Sequence, residues 1–234
     1  MVWAMKHANG FGEYFLDGDF VGRKQNLGAH FDEVLDQEYK DKFSLECGPD
    51  YVYHVSQKFL QPREGEGPPA IALPALQEHE LPKNFAIETT RKKSFGSLIK
   101  LVNRMIAVDD KLKEIVETVE PHVHEFWPIE IFMPSGEAYP KSYYGLRIGN
   151  HLDSFLPGQS ETSSWTTNGI TFQISNFSKK NCSGIVMSSA LSAGKHLWRE
   201  VRLKSPDVYF SDELASAIAE AKLNTPKLLR LGSC

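Results

Sequence analysis

The 234-residue sequence predicts an α+β fold, with a mixed or antiparallel sheet and a few packed helices. Three observations carry this. Short runs of strand-forming residues follow one another with helical patterns only at intervals, which argues against a doubly wound parallel sheet. The composition, 41% hydrophobic and 24% charged, is that of a chain able to bury a core rather than stay disordered. Aromatic residues are plentiful, with 14 Phe and 8 Tyr, which favours a packed mixed fold over a plain helical bundle.

The opening segment to Phe20 is aromatic and punctuated by Gly10, Gly12 and Gly18, which suggests brief strands such as Glu13–Leu16 between turns. From His30 to Phe43 the pattern becomes helical. Phe31, Val34 and Leu35 fall at helical spacing, and Asp32, Glu33, Asp36 and Asp41 occupy the positions between them. Tyr51–Val55 reads as a strand. Between Gln61 and Lys83 five prolines and two glycines imply an extended or irregular connection, because proline removes a backbone donor and disfavours helix before it. The expected organisation is therefore an N-terminal lobe over residues 1–83 and a C-terminal domain over 84–234.

Leu98, Leu101, Val102 and Met105 keep helical spacing, with strand as the alternative for so short a run. Asp109 and Asp110 then open a helix whose apolar face is Leu112, Ile115, Val116 and Val119, closed by Pro121. Phe126–Met133 is strand-like, with Pro128 at an edge or outside the ladder. Tyr143–Ile148, Ile170–Ile174, Gly184–Met187, Val208–Phe210 and Leu228–Leu231 are further strands. Ser211 caps a last helix over Asp212–Ala221, with Asp212 and Glu213 in its first turn.

Several function classes are disfavoured. A formal charge of −4 and the short basic run Arg91–Lys93 do not suit a duplex-binding protein. The absence of a signal-like start and of any long apolar window predicts a cytosolic chain with no membrane segment. Cys47, Cys182 and Cys234 form no CxxC pair and are expected to be free thiols. His122 and His124 could share a metal with Asp153 or Glu125, but no third ligand is specified, and a polar pair at a helix-to-strand connection is the preferred reading. Gly158-Gln159-Ser160-Glu161 lacks the closing glycine of a nucleophile elbow. For Cys182 and His196, a buried thiol is preferred to a catalytic dyad. Trp198 is read as core packing before recognition anchor. No cofactor and no catalytic residue is expected.

One set of motifs goes further. Met105–Leu112, Glu125-Phe126-Trp127-Pro128-Ile129, Tyr143–Leu146, Asn150–Asp153, Gly194–Glu200 and Phe210–Leu214 occur in an order and spacing that resembles the immunity-eleven family of polymorphic toxin systems. The resemblance spans about Leu98 to Leu231 and leaves the N-terminal lobe unmatched. It implies a non-enzymatic inhibitor of a cognate protein toxin, such as a type VI secretion effector, that acts in the cytosol. An antidote enzyme that reverses the toxin's modification, and an effector adaptor, are the alternatives. No catalytic residue transfers. Two acidic surfaces are expected to meet the toxin: Asp32, Glu33, Asp36 and Asp41 on the first helix, and Glu114, Glu117 and Glu120 on the second.

Overall fold

The computed structural model describes residues 1–6, 8, 10–47, 50–59, 76–206 and 208–234. Along the chain, strands β1 (Val2–Met5) and β2 (Asp17–Phe20) precede helix α1 (Arg23–Ala29), which continues into a π-helical turn over His30–Val34. Helices α2 (Gln37–Cys47) and α3 (Tyr51–Gln57) follow, then β3 (Asn84–Thr89), β4 (Leu98–Lys100) and β5 (Ile106–Asp109). Helix α4 (Asp110–Val119) leads to β6 (Glu125–Phe132), β7 (Tyr143–Arg147), β8 (His151–Leu152), β9 (Trp165–Thr167) and β10 (Phe172–Ile174). The remainder runs α5 (Lys179–Ser183), β11 (Val186–Met187), α6 (Ser189–Ser192), β12 (Leu197–Glu200), β13 (Leu203–Ser205), β14 (Tyr209–Ser211), α7 (Asp212–Glu220) and β15 (Leu228–Ser233).

Two six-stranded mixed sheets organise these elements, in the orders β2-β3-β6-β7-β5-β4 and β11-β15-β1-β14-β12-β8, with a small sheet β13-β10-β9 beside the second. Parts of both large sheets are buried on both faces, and there the period-two alternation divides a strand's side chains between different cores, whereas β3 and β6 expose Asn84, Glu88, Pro128 and Glu130 on one face. In β5, Ala107 faces one core while Ile106 and Val108 face another. In β14, Phe210 and Tyr209 separate in the same way. The outermost core joins the first sheet to α1–α3 through Leu27, Phe43, Tyr51 and Val55 against Phe85, Trp127 and Ile131. The middle core holds α4 and α7 between the two sheets, with Leu112, Val116, Leu214 and Ile218 against Ile106, Leu146, Leu197 and Phe210. The third core packs the far face of the second sheet on Phe155, Ile174, Cys182 and Ile185.

The expected α+β class is observed, and several elements differ in detail. Tyr51–Val55 is helical because Asp50 caps it, accepting from the Tyr53 amide, and because Tyr51 and Val55, one turn apart, are both buried. The single helix expected over 30–43 breaks at Leu35 and Asp36. The π turn before the break shifts the phase, so Phe31 and Leu35 pack inward while Val34 is 66% exposed. Over Glu13–Leu16 only Phe15 forms a bridge, to Lys100, and the strand begins at Asp17. The run from Leu98 to Met105 is a hairpin arm rather than a helix, turning through Asn103 and Arg104 at φ 57° and 59°. Pro128 sits in an interior strand opposite Tyr144, but pairing with β3 starts only at Glu130, so the missing amide precedes that ladder.

Most of the proline-rich connection lies outside the described residues. The segments on either side of it are structurally joined. β1 lies between β14 and β15, β2 pairs with β3, and α1–α3 share a core with β3, β5, β6 and β7. The expected boundary near residue 83 therefore does not separate two cores.

Candidate functional site

The four acidic residues expected on the first helix gather at the corner between the π turn and α2. Asp32 and Glu33 close the first segment, Asp36 lies in the connection, and Asp41 stands in α2; all four are exposed. Asp36 caps α2 by accepting from the Tyr39 amide at 2.7 Å, and the Asp41 carboxylate accepts from Gln37 at 2.7 Å. Lys40 is the single cation in the stretch; its ammonium donates to the Asp32 carbonyl at 2.6 Å and lies over the Phe31 ring. Residues 32–41 contain five carboxylates and one lysine, a net charge of −4, equal to that of the whole chain. The rest of the sequence is formally balanced, so the acidity of the protein resides at this corner. Val34 and Tyr39, 66% and 45% exposed, add apolar surface to it. Neither was marked by the sequence pattern, since Val34 falls on the nominally inward face.

The second acidic group is different. Glu114 pairs with Lys111 at 2.7 Å, and Glu117 pairs with Lys113 at 2.5 Å, along the exposed face of α4. Lys113 also lies over the Phe126 and Tyr144 rings. These are i,i+3 and i,i+4 pairs of the kind that solvate a helix face, and they leave little uncompensated charge. Glu120 departs from the expected surface row altogether. It is 5% exposed and accepts hydrogen bonds from His124 Nε2 at 2.9 Å, Asn150 Nδ2 at 2.8 Å and the Leu197 amide at 2.9 Å. Burial alone would raise its pKa, but the bonds from His124 and from the backbone at His196 and Leu197 outweigh that and hold it low. The Gly149 amide donates to His124 Nδ1 at 3.1 Å, which assigns the ring proton to Nε2. Glu120 thus ties the end of α4 to β6, β12 and the β7–β8 connection, and it is not available to a partner.

The residues considered for chemistry are not brought together. His122 is exposed with φ 62°, His124 is committed to Glu120, Asp153 pairs with Arg202 at 2.7 Å, and Glu125 pairs with Arg147 at 2.6 Å. Among the described residues no group of three His, Cys, Asp or Glu side chains has the arrangement to hold a metal ion. Cys182 is fully buried, its thiol pushed up to about 11 by burial, while His196 Nδ1 is bonded to Ser211 Oγ at 3.0 Å. A thiol in that state is a poor nucleophile, and its supposed base points elsewhere. Trp198 is fully buried and donates to Glu200 at 3.0 Å, as expected of a core residue.

A model of an immunity protein family, Imm11, matches residues 33–230. The chain belongs to that family. The match begins at Glu33, in the acidic corner, so the Imm11 pattern reaches well before the Leu98 start read from the motifs. It takes in α2, α3 and most strands of both large sheets, while β1, β2 and α1 precede it. No curated protein matches the chain. Among the described residues no helix of this Imm11 protein is long and apolar enough to cross a membrane.

Proposed function

We propose that this Imm11 protein neutralises a cognate, cytosol-acting protein toxin by direct binding, and that the corner formed by Asp32, Glu33, Asp36 and Asp41 is the contact that steers and anchors it. The observation that carries the reading is the concentration of net charge there, beside the exposed Val34 and Tyr39, while Glu114 and Glu117 are neutralised by their own lysines. An exposed apolar and aromatic centre ringed by carboxylates suits a basic partner surface, with charge accelerating encounter and the aromatic group, once covered, supplying affinity. Occlusion follows from size: a specific interface of roughly 1,200–2,000 Å² placed over a toxin's active site or substrate groove excludes substrate without further chemistry. The separation of His122, His124 and Asp153 gives no support to an antidote enzyme.

The test is growth rescue and copurification with the toxin domain encoded beside the protein. Asp32→Lys with Glu33→Lys is expected to slow association about tenfold at low salt, an effect screened as salt rises, whereas Glu114→Lys with Glu117→Lys leaves it within about twofold. Rescue by substoichiometric amounts of the protein, or unchanged association kinetics in the first variant, would refute the reading.

A further inference from the structure

Where β15 runs beside β1, the period-two alternation sends Leu229 and Leu231 into the third core. Leu228 and Arg230 stand on the opposite face, together with Trp3 of β1. Lys6 donates its amide to the Lys227 carbonyl at 2.8 Å, and Trp3 lies three steps along the ladder, directly across from Arg230. That register makes Trp3 and Arg230 a non-hydrogen-bonded pair, the kind whose side chains approach most closely. The indole is held in place by its own bond, Nε1 donating to the Asp212 carboxylate at 2.9 Å at the start of α7.

A cleft of about 650 Å³ opens beside these side chains, a size within the roughly 300–1,000 Å³ of small-ligand sites. Trp3 and Leu228 line it with Lys227 and Arg230, and α5 contributes Lys179 and Ser183, four residues apart on one helix face. Three cations and no carboxylate therefore line the cleft, in a chain with 30 acidic residues against 26 basic ones. All three are exposed, and among the described residues none of them is in an ion pair. The contrast is with α4, where Lys111 and Lys113 are matched by Glu114 and Glu117. Uncompensated charge of one sign around an apolar hollow concentrates ions of the other sign. The Arg230 guanidinium is a planar fork suited to carboxylate or phosphate, and the two ammonium groups add point charges. The indole and Leu228 offer a surface for a flat apolar body.

We propose that this cleft binds a small aromatic anion, its ring against Trp3 and Leu228 and its carboxylate or phosphate among Arg230, Lys227 and Lys179. A neutral aromatic leaves the cations unmet, and an inorganic anion leaves the apolar floor wet, so the ligand needs both halves. A nucleic-acid strand is a poorer occupant, because three cations around one cleft provide no track for a continuous backbone. The site shares no residue with the acidic corner, does not rest on the toxin-binding reading, and is tested without a toxin.

The test titrates the isotope-labelled full chain with adenosine monophosphate and, separately, with naphthoate, followed by NMR. Saturable binding of at least one is expected below about 1 mM, with shifts of the Trp3 indole N–H and of the Leu228 and Arg230 amides. Binding of the nucleotide alone supports a phosphate-bearing ligand, and binding of naphthoate alone supports a carboxylate-bearing one. Adenosine and naphthamide, which lack the charge, are expected to bind about tenfold more weakly, and Arg230→Glu is expected to lose about tenfold for the charged probes. Lys141→Glu makes the same change of net charge at an exposed residue outside the cleft, and is expected to leave affinity within about twofold. Absence of saturable binding of both probes at about 1 mM, or equal losses in Arg230→Glu and Lys141→Glu, overturns the proposal.

Discussion

Two buried glutamates illustrate what a single side chain contributes here. Glu200 is fully buried and accepts from Ser154 Oγ, from the Ser154 amide at 3.0 Å and from Trp198 Nε1 at 3.0 Å. Burial outweighs those bonds and pushes its carboxyl up to about 7. A carboxyl whose folded pKa exceeds its unfolded value favours folding fully at low pH, and that contribution is lost as pH rises from the unfolded value of 4.5 through about 7. Glu200→Gln is therefore expected to flatten the fall in melting temperature between pH 5 and 8, a change of several degrees. Scanning calorimetry across that range checks it, and an unchanged slope would show that Glu200 is not the group responsible. Glu120 shows why burial was illegible in sequence. Three residues rotate a helix by about 300°, so two such steps leave Glu120 about 120° from Glu114. The charge pattern 114/117/120 resembled a row, but the geometry never made it one.

At the level of elements, caps proved the most readable signal. Asp109 and Ser211 were both expected to open helices, and both do, accepting from the Leu112 and Leu214 amides at 3.0 and 3.1 Å. Ser211 also meets His196, which links α7 to the start of β12. Ser211→Ala is expected to cost about 1 kcal/mol, read from the shift in urea midpoint at constant m-value, whereas Ser211→Asn retains most of the cap. The same cap logic, applied to Asp50, would have turned Tyr51–Val55 from strand to helix. The strand propensity of Tyr and Val points the other way there, and local capping with one-turn burial spacing overrides it. The hairpin between β4 and β5 was hidden for another reason. Its turn uses Asn103 and Arg104 in the left-handed region without a glycine to announce it.

For the whole molecule, the α+β class was legible because strand patterning is local, but the layering was not. Whether a strand's two faces enter one core or two depends on partners far away in sequence. β1 makes this plain: Val2 and Ala4 enter one core, Met5 another, and its neighbours on both sides come from beyond residue 208. Removing residues 1–6 is expected to split the second sheet and cause a loss of cooperative unfolding, measured by circular dichroism and calorimetry together. A variant that retained a single sharp transition would show that β14 and β15 close on each other without β1. The acidic corner was visible in sequence as composition, and only the fold showed that the competing group on α4 was already neutralised.

The central place of β1 also bears on timing. β1 is synthesised some two hundred residues ahead of the two strands that flank it. At about 5–20 residues per second, roughly 10–40 s separate the two events. During that interval β1 has neither of its partner strands. A newly started chain therefore completes this sheet only after synthesis has passed β15.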